Sequence, residues 1–151
     1  MKIVDNSKIL FLIIITMINS ISFLYQSSFA LTTFVAASDS MAPSIRTHDI
    51  VNTDENFSFD DLKIDDIIVF RAPDPAEENK TVVSRITAVI ENGNNVTGNV
   101  VLCAPIAINN PIQERTILTK GDANECSIPG IDFPIDEQNY IGKVVSVVMA
   151  K

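Results

Sequence analysis

The chain has 151 residues, 46% of them hydrophobic, and a formal net charge of −8. With 19 acidic and 11 basic residues and no basic cluster, it lacks the cationic surface that nucleic-acid binding requires. The sequence carries no metal-ligand cluster and no phosphate-binding glycine loop, so we expect no cofactor. Apart from an N-terminal apolar segment, one domain of about 110–115 residues remains, enough for one modest core.

The N-terminal segment is typical of a membrane anchor. Lys2 and Lys8 precede a long apolar run, and this charge pattern places the N-terminus in the cytoplasm and the following domain outside. We therefore predict a cytoplasmic N-terminus (1–8), a membrane anchor (9–34) and an extracytoplasmic domain (35–151).

A second interpretation of this segment stays open. A membrane helix needs roughly 20 apolar residues, which 9–24 extended by 29–34 would supply. A cleavable signal peptide needs an apolar run of only about 10–15 residues, and Ser28-Phe29-Ala30 is similar to its small-x-small cleavage pattern. The segment is thus either an anchor or a removed signal.

Beyond residue 40 the pattern predicts strands. Runs rich in β-branched residues and bounded by turn-forming residues occur at 49–51, 67–70, 81–90, 96–103, 115–120 and 141–149. Asn92-Gly93 predicts a hairpin turn between the third and fourth of these runs. Phe57–Leu62 could form one short helical turn. We expect a mainly β, antiparallel domain behind an N-terminal transmembrane helix.

The two cysteines, Cys103 and Cys126, fit a domain outside the cytoplasm. In an oxidising compartment they could form a disulfide closing a loop of about 24 residues, worth about 3 kcal/mol in the chain-entropy model. Two unpaired, half-buried thiols are the alternative.

Four blocks of sequence carry a family resemblance. They are SDSMAPS…DIV at 38–51, DDIIVF at 65–70, VVSRI at 82–86, and LTKGDAN at 118–124 followed by IGKV at 141–144. In this order they resemble the blocks of type I signal peptidases, the S26 serine peptidases, especially their archaeal and endoplasmic-reticulum branch. The resemblance implies a signal-peptidase/LexA-like β domain.

The resemblance also implies an activity and the residues that perform it. The protein would be a membrane-anchored serine endopeptidase that removes signal peptides from exported precursors, with precursors and membrane lipid as its partners. Ser40 would be the nucleophile, Ser38 a hydroxyl donor to the oxyanion, and Asp122 an acid supporting the active-site network. The alternatives are that Ser38 is a loop serine bonding its own backbone and that Asp122 is a turn carboxylate bonding backbone N–H groups. Asp39 would oppose a developing oxyanion if it pointed inward, so we expect it to face water.

The chain departs from the family at Ser84. The archaeal branch carries histidine at this position and the bacterial branch lysine, whereas a serine hydroxyl is too weak a base to take a proton at neutral pH. Candidate substitute bases are His48, the only histidine, and Lys80, four residues before Ser84 on the same strand face. A further route would join Ser40 and Ser84 through water to another group, such as Asp122 or Lys120.

Three functions of different classes therefore remain. The first is an active signal peptidase. The second is a weak or inactive family member that binds precursors or partners, since loss of a general base costs on the order of 10²–10⁴-fold in rate. The third is a secreted β domain whose N-terminal signal has been removed. The resemblance favours the first function, and the chemistry at Ser84 favours the second.

Overall fold

A computed structural model of the chain describes residues 31–77, 80–91, 95–105 and 114–151. The predicted cytoplasmic N-terminus and the anchor as far as residue 30 lie outside these ranges. Within them, no helix has the length and apolar character needed to cross a bilayer.

The regular secondary structure of the described residues is an antiparallel β-sheet with one short 3₁₀ turn, which confirms the predicted mainly β, antiparallel fold. Its elements are β1 (Leu31–Val35), β2 (Ile50–Asp54), a 3₁₀ turn (Phe59–Asp61), β3 (Ile67–Arg71), β4 (Thr81–Glu91), β5 (Asn95–Gly98), β6 (Thr116–Lys120) and β7 (Tyr140–Val148).

The strands form one antiparallel sheet in the order β1-β2-β7-β3-β4-β5, with β6 also paired to β4. The first half of β4 pairs with β3, from Thr81 to Arg85. On the opposite edge, β6 pairs with β4 only from Arg85 onwards. None of the described strands covers the opposite edge of residues 81–84, and this edge becomes a wall of the site.

Two apolar clusters lie on opposite faces of the sheet, and β3 contributes to both. Ile68 and Phe70 belong to one cluster and Val69 to the other, as the two-residue period of a strand requires. Met41 and Ile45 join Val69 in the second cluster, and both are almost fully buried. Burying a side chain of this size contributes about 1.5–3 kcal/mol, so the loop between β1 and β2 is held firmly against the sheet.

The boundaries of two predicted segments were wrong. Residues 31–34, the end of the predicted anchor, belong to β1, where they pair with β2. The predicted strand 96–103 ends at Gly98, whose φ of 100° lies in the left-handed region; beyond it the Asn99 N–H donates to Thr87 O at 2.8 Å. The predicted Asn92-Gly93 turn lies outside the described residues.

Candidate active site

The loop between β1 and β2 presents two serines close together. Ser38 Oγ lies 3.1 Å from Ser40 Oγ, at hydrogen-bonding distance. Buried Met41 follows Ser40 directly, and the Ile45 N–H donates to Met41 O at 3.0 Å. Ser40 is therefore fixed by its buried neighbour while its own side chain stays half-exposed.

Asp39, between the two serines, is exposed as expected. Its Oδ1 accepts the Thr47 N–H at 2.8 Å and the Thr47 hydroxyl at 2.9 Å. These bonds hold the pKa of the Asp39 carboxyl below its usual value. The carboxylate is engaged within its own loop, where it closes the turn that carries Ser40.

The turn after β6 holds the backbone of Ser40. The Ala123 N–H donates to Ser40 O at 3.0 Å. A Cβ atom at Gly121 would lie 2.5 Å from the same oxygen, which is too close for any residue but glycine. The turn that contains Gly121, in the fourth sequence block, thus holds the loop that carries Ser40 in place.

Asp122 lies beside this turn but does not line the cavity described below. Its two carboxylate oxygens each accept a hydrogen bond from Arg85 at 2.7 Å, and Arg85 also donates to Ser44 Oγ at 3.2 Å and to Asp65 O at 2.9 Å. The Arg85 guanidinium holds the pKa of Asp122 below its usual value. Asp122 therefore supports the site from outside, because Arg85 joins it to the loop that carries Ser40.

A cavity of about 390 Å³ opens beside the two serines. One wall is the end of β1 with the residues that follow it (34–38), and the other is the start of β4 with Lys80 (80–84). Ile128, Ile131 and Asp132 also line it, from the loop after the fourth sequence block. Ser38, Ser40 and Ser84 all line this cavity, so residues from two separate sequence blocks meet here.

Both strand walls present backbone groups to the cavity. Ala36 exchanges hydrogen bonds with Asp49 O and His48 N–H, at 2.9 and 2.8 Å, so its backbone faces β2. By alternation, the N–H and C=O groups of Val35 and Ala37 face away from β2. The Ala72 N–H donates to Lys80 O at 3.0 Å, so the same alternation turns the backbone of Thr81 and Val83 away from β3. Two such edges can bind a peptide in extended form.

Ser84 is 1% exposed, and its hydroxyl makes no hydrogen bond of good geometry. The hydroxyl lies beside the carboxylate of Asp132, which is 3% exposed and accepts the Ile128 N–H at 2.9 Å. Burial raises the pKa of the Asp132 carboxyl. Four weaker effects lower this pKa: those of the Ile128 N–H, the Ser84 and Thr119 hydroxyls, and the positive charge of Lys80. The position of the missing base thus adjoins a buried acid.

Sequence reasoning missed Asp132. The sequence around Asp132 gives little indication of a site, because it is a single acidic residue after Pro129-Gly130, between Ile131 and Phe133. The loop turns back on itself through the Asp132 N–H, which donates to Ile128 O at 2.7 Å, and through Asp132 O, which accepts the Thr119 N–H at 3.0 Å. The first bond is local, and the second ties the loop to β6, so the position of the Asp132 side chain in the cavity depends on a tertiary contact that no local motif encodes.

The two candidate substitute bases lie in different places. His48 is exposed and does not line the cavity, and its φ of 73° lies in the left-handed region that residues other than glycine seldom adopt. Lys80 does line the cavity, with its Nζ 3.8 Å from the exposed Glu77 carboxylate.

The predicted cysteine pair is close enough to be bonded, with the two Sγ atoms of Cys103 and Cys126 2.08 Å apart. Next to it, Ser127 is buried and its hydroxyl has no hydrogen-bond partner. Ser127 faces a separate cavity of about 30 Å³, shared with Lys120. The disulfide and Ser127 thus lie in the loop behind the site, and they do not line the larger cavity.

The family comparison agrees with the sequence blocks. A family model described as signal peptidase, peptidase S26, matches residues 6–137, which is most of the chain. No curated protein matches the chain significantly. The matched range includes the serine loop, β3, β4 and the turn after β6.

Proposed function

Because the chain belongs to the signal peptidase family, peptidase S26, we propose that it is a membrane-anchored serine endopeptidase that removes signal peptides from exported precursors. The apolar segment from residue 9 to residue 30 would anchor it with the domain outside, as the preceding Lys2 and Lys8 favour. The VVSRI block at 82–86 favours the archaeal and endoplasmic-reticulum branch.

One observation carries this proposal: the Ser38 and Ser40 hydroxyls lie 3.1 Å apart at a cavity with a strand edge on either side. A precursor segment lying in extended form along residues 34–38 and 80–84 would bring its scissile carbonyl to Ser40. The Ser40 Oγ would then attack the carbonyl carbon. The Ser38 hydroxyl and the Ser40 N–H would donate hydrogen bonds to the developing oxyanion.

The cavity wall also bears on which precursors fit. Met41, Ile45 and Val83 pack together beneath the site, and Ile128 and Ile131 close another side. In an extended peptide alternate side chains point to the same side, so two of them would enter this apolar space. We propose that small, uncharged residues before the cleaved bond are preferred, because shallow apolar pockets accept them without burying a charge.

A second function, an accessory subunit that binds precursors without cleaving them, is favoured by the residue at position 84. Ser84 stands where a stronger base is expected, and no hydrogen bond of good geometry connects its hydroxyl to another group. The strand edges would serve binding equally well without turnover.

One assay separates these functions. The purified full-length chain would be incubated in detergent micelles with a secretory precursor, beside Ser40→Ala and Ser84→His variants. The peptidase proposal expects cleavage by the wild type and none by Ser40→Ala. If the wild type matches Ser40→Ala and only Ser84→His cleaves, the accessory function holds.

The anchor has a separate test. Mass spectrometry of the chain recovered from the membrane fraction would read its N-terminus. A peptide containing Met1 supports the anchor, and a chain beginning near Ala30 would contradict it.

A further inference from the structure

The buried carboxylate of Asp132 is the feature that the proposed function leaves unexplained. We propose that Asp132, acting through the hydroxyl of Ser84, accepts the proton of Ser40 in this chain. The inference rests on the proposed peptidase function and adds the base that the family motif lacks here.

All three groups line one cavity. Ser40 comes from the loop after β1, Ser84 from the middle of β4 and Asp132 from the loop after β6. Among the described residues that line this cavity, Asp132 is the only acid. Only the tertiary fold brings these side chains together, since 92 positions separate Ser40 from Asp132 along the chain.

The buried hydroxyl of Ser84, which makes no hydrogen bond of good geometry, is the second observation. Leaving a buried hydroxyl unsatisfied typically costs about 1–3 kcal/mol, and such groups in native proteins call for an explanation. A serine hydroxyl can donate one hydrogen bond and accept another at the same time. Ser84 can therefore accept from Ser40 on the cavity side and donate to the adjacent Asp132 carboxylate.

The surroundings of Asp132 suit a proton acceptor. Its burial makes the carboxylate more basic than one in water, and a base whose pKa lies nearer the working pH is more effective. The charged group that acts on it is Lys80, whose positive charge opposes this shift, and Asp74 is an acid packed against its loop, where the Asp74 N–H donates to Gly130 O at 3.0 Å. A carboxylate in water would be a poorer acceptor.

The step balances without any further reactant. As Ser40 Oγ bonds to the scissile carbonyl carbon, its proton passes to Ser84 Oγ, and the Ser84 proton passes to Asp132. When the C–N bond breaks, the same route returns the proton to the leaving amine. Water then hydrolyses the acyl ester on Ser40, giving one proton to the route and finally to the regenerated Ser40.

The other candidate bases fit less well. His48 is exposed outside the cavity. Lys80 lines the cavity, but its side chain is 51% exposed and lies beside the Glu77 carboxylate. Its Nζ lies 3.8 Å from that carboxylate at the surface, whereas Asp132 is buried beside Ser84.

The test measures kcat and KM of the full-length chain in micelles for Asp132→Asn, Ser84→Ala and Ser84→Thr. Asp61→Asn is the matched control, because it removes the same charge from an exposed acid of the 3₁₀ turn. Asp132→Asn and Ser84→Ala should lower kcat by about 10²–10⁴-fold with KM little changed. Ser84→Thr keeps the hydroxyl and should retain more activity than Ser84→Ala.

A pH profile of Lys80→Met distinguishes a proton acceptor from a structural residue. Activity of the wild type should fall on acidification as Asp132 is protonated. Removing the positive charge of Lys80 raises the pKa of Asp132, so the acid limb should move to higher pH while turnover persists. Thermal unfolding of every variant checks that lost activity is not lost structure.

Three results would contradict the proposal, and each points to a different conclusion. Wild-type kcat in a folded Asp132→Asn variant would overturn the relay and leave the peptidase function standing. Complete loss of cleavage in Lys80→Met would overturn it in favour of Lys80 as base. If the wild type cleaves at no pH and Ser84→His does, both the relay and the peptidase function fail.

Discussion

Gly121→Ala tests whether the turn after β6 positions the nucleophile. The new Cβ would lie 2.5 Å from Ser40 O and 2.7 Å from Asn124 Nδ2, whereas ordinary contact begins at 3.4 Å. The side chain of Asn124 can move, but the Ser40 carbonyl is backbone and must shift by several tenths of an ångström. Because a misplacement of about 1 Å can cost about 10²-fold in rate, we expect kcat/KM to fall by about 10- to 100-fold. Overpacking should also lower the free energy of unfolding by about 1–3 kcal/mol.

The assay is the initial rate of precursor cleavage, measured beside a urea unfolding curve. Gly98→Ala is the control, because a Cβ there would collide with Thr87 O on β4, and Gly98 does not line the cavity. It should lose stability without a matching loss in the rate of the folded fraction. Wild-type kcat in Gly121→Ala, at comparable stability loss, would refute the view that this turn sets the position of Ser40.

Three further predictions concern stability, each measured by urea unfolding. Asp122→Asn should cost about 2 kcal/mol at neutral pH, because two charged hydrogen bonds from Arg85 are lost. Because folding lowers the pKa of Asp122, this contribution is present above the usual carboxyl pKa and vanishes as the pH falls through the folded value. The plots of stability against pH for the wild type and Asp122→Asn should therefore converge in acid. A stability difference that stays constant with pH would contradict this. Tyr140→Phe removes a buried hydroxyl without a partner and should raise stability by about 1 kcal/mol, and a clear loss would mean that the hydroxyl is bonded. Replacing both Cys103 and Cys126 with serine should lower stability by about 3 kcal/mol, and an unchanged midpoint would argue against the bond.

The sequence predicted the strands whose signal is local. Ile67–Arg71 and Thr81–Glu91 are β-branched runs bounded by turn residues, and both were expected within one residue of their ends. Leu31–Val35 was missed, because it continues an apolar run and only its pairing with β2 makes it a strand. The predicted strand 96–103 was too long. A left-handed backbone angle at Gly98 ends the observed strand, and the residue type alone does not reveal that angle.

The sequence could predict those residues of the site that belong to a motif. Ser38 and Ser40 lie two residues apart in one loop, so their proximity follows from the sequence block. Asp122 was noticed for the same reason, but its partner Arg85 lies 37 positions away and decides its role. Asp132 belongs to no motif, and it becomes visible only when the loop after β6 is folded against β4.

The two aspartates should therefore differ in what they stabilise, and acid should separate them. The carboxylate of Asp122 is stabilised by Arg85, so its ionisation favours the folded state. Burial raises the pKa of Asp132 despite the opposing effects of Ile128 and Lys80, so its ionisation disfavours the folded state at neutral pH. This penalty shrinks as the pH falls through the raised pKa and is gone below the usual carboxyl pKa. Asp132→Asn should then leave stability at neutral pH equal or higher, opposite in sign to Asp122→Asn, and the difference from wild type should shrink in acid. A carboxylate kept in a cavity at a cost to stability is retained for another reason, and activation of Ser40 supplies one. If Asp132→Asn instead unfolds the chain at neutral pH, the carboxylate is a structural group and this reasoning fails.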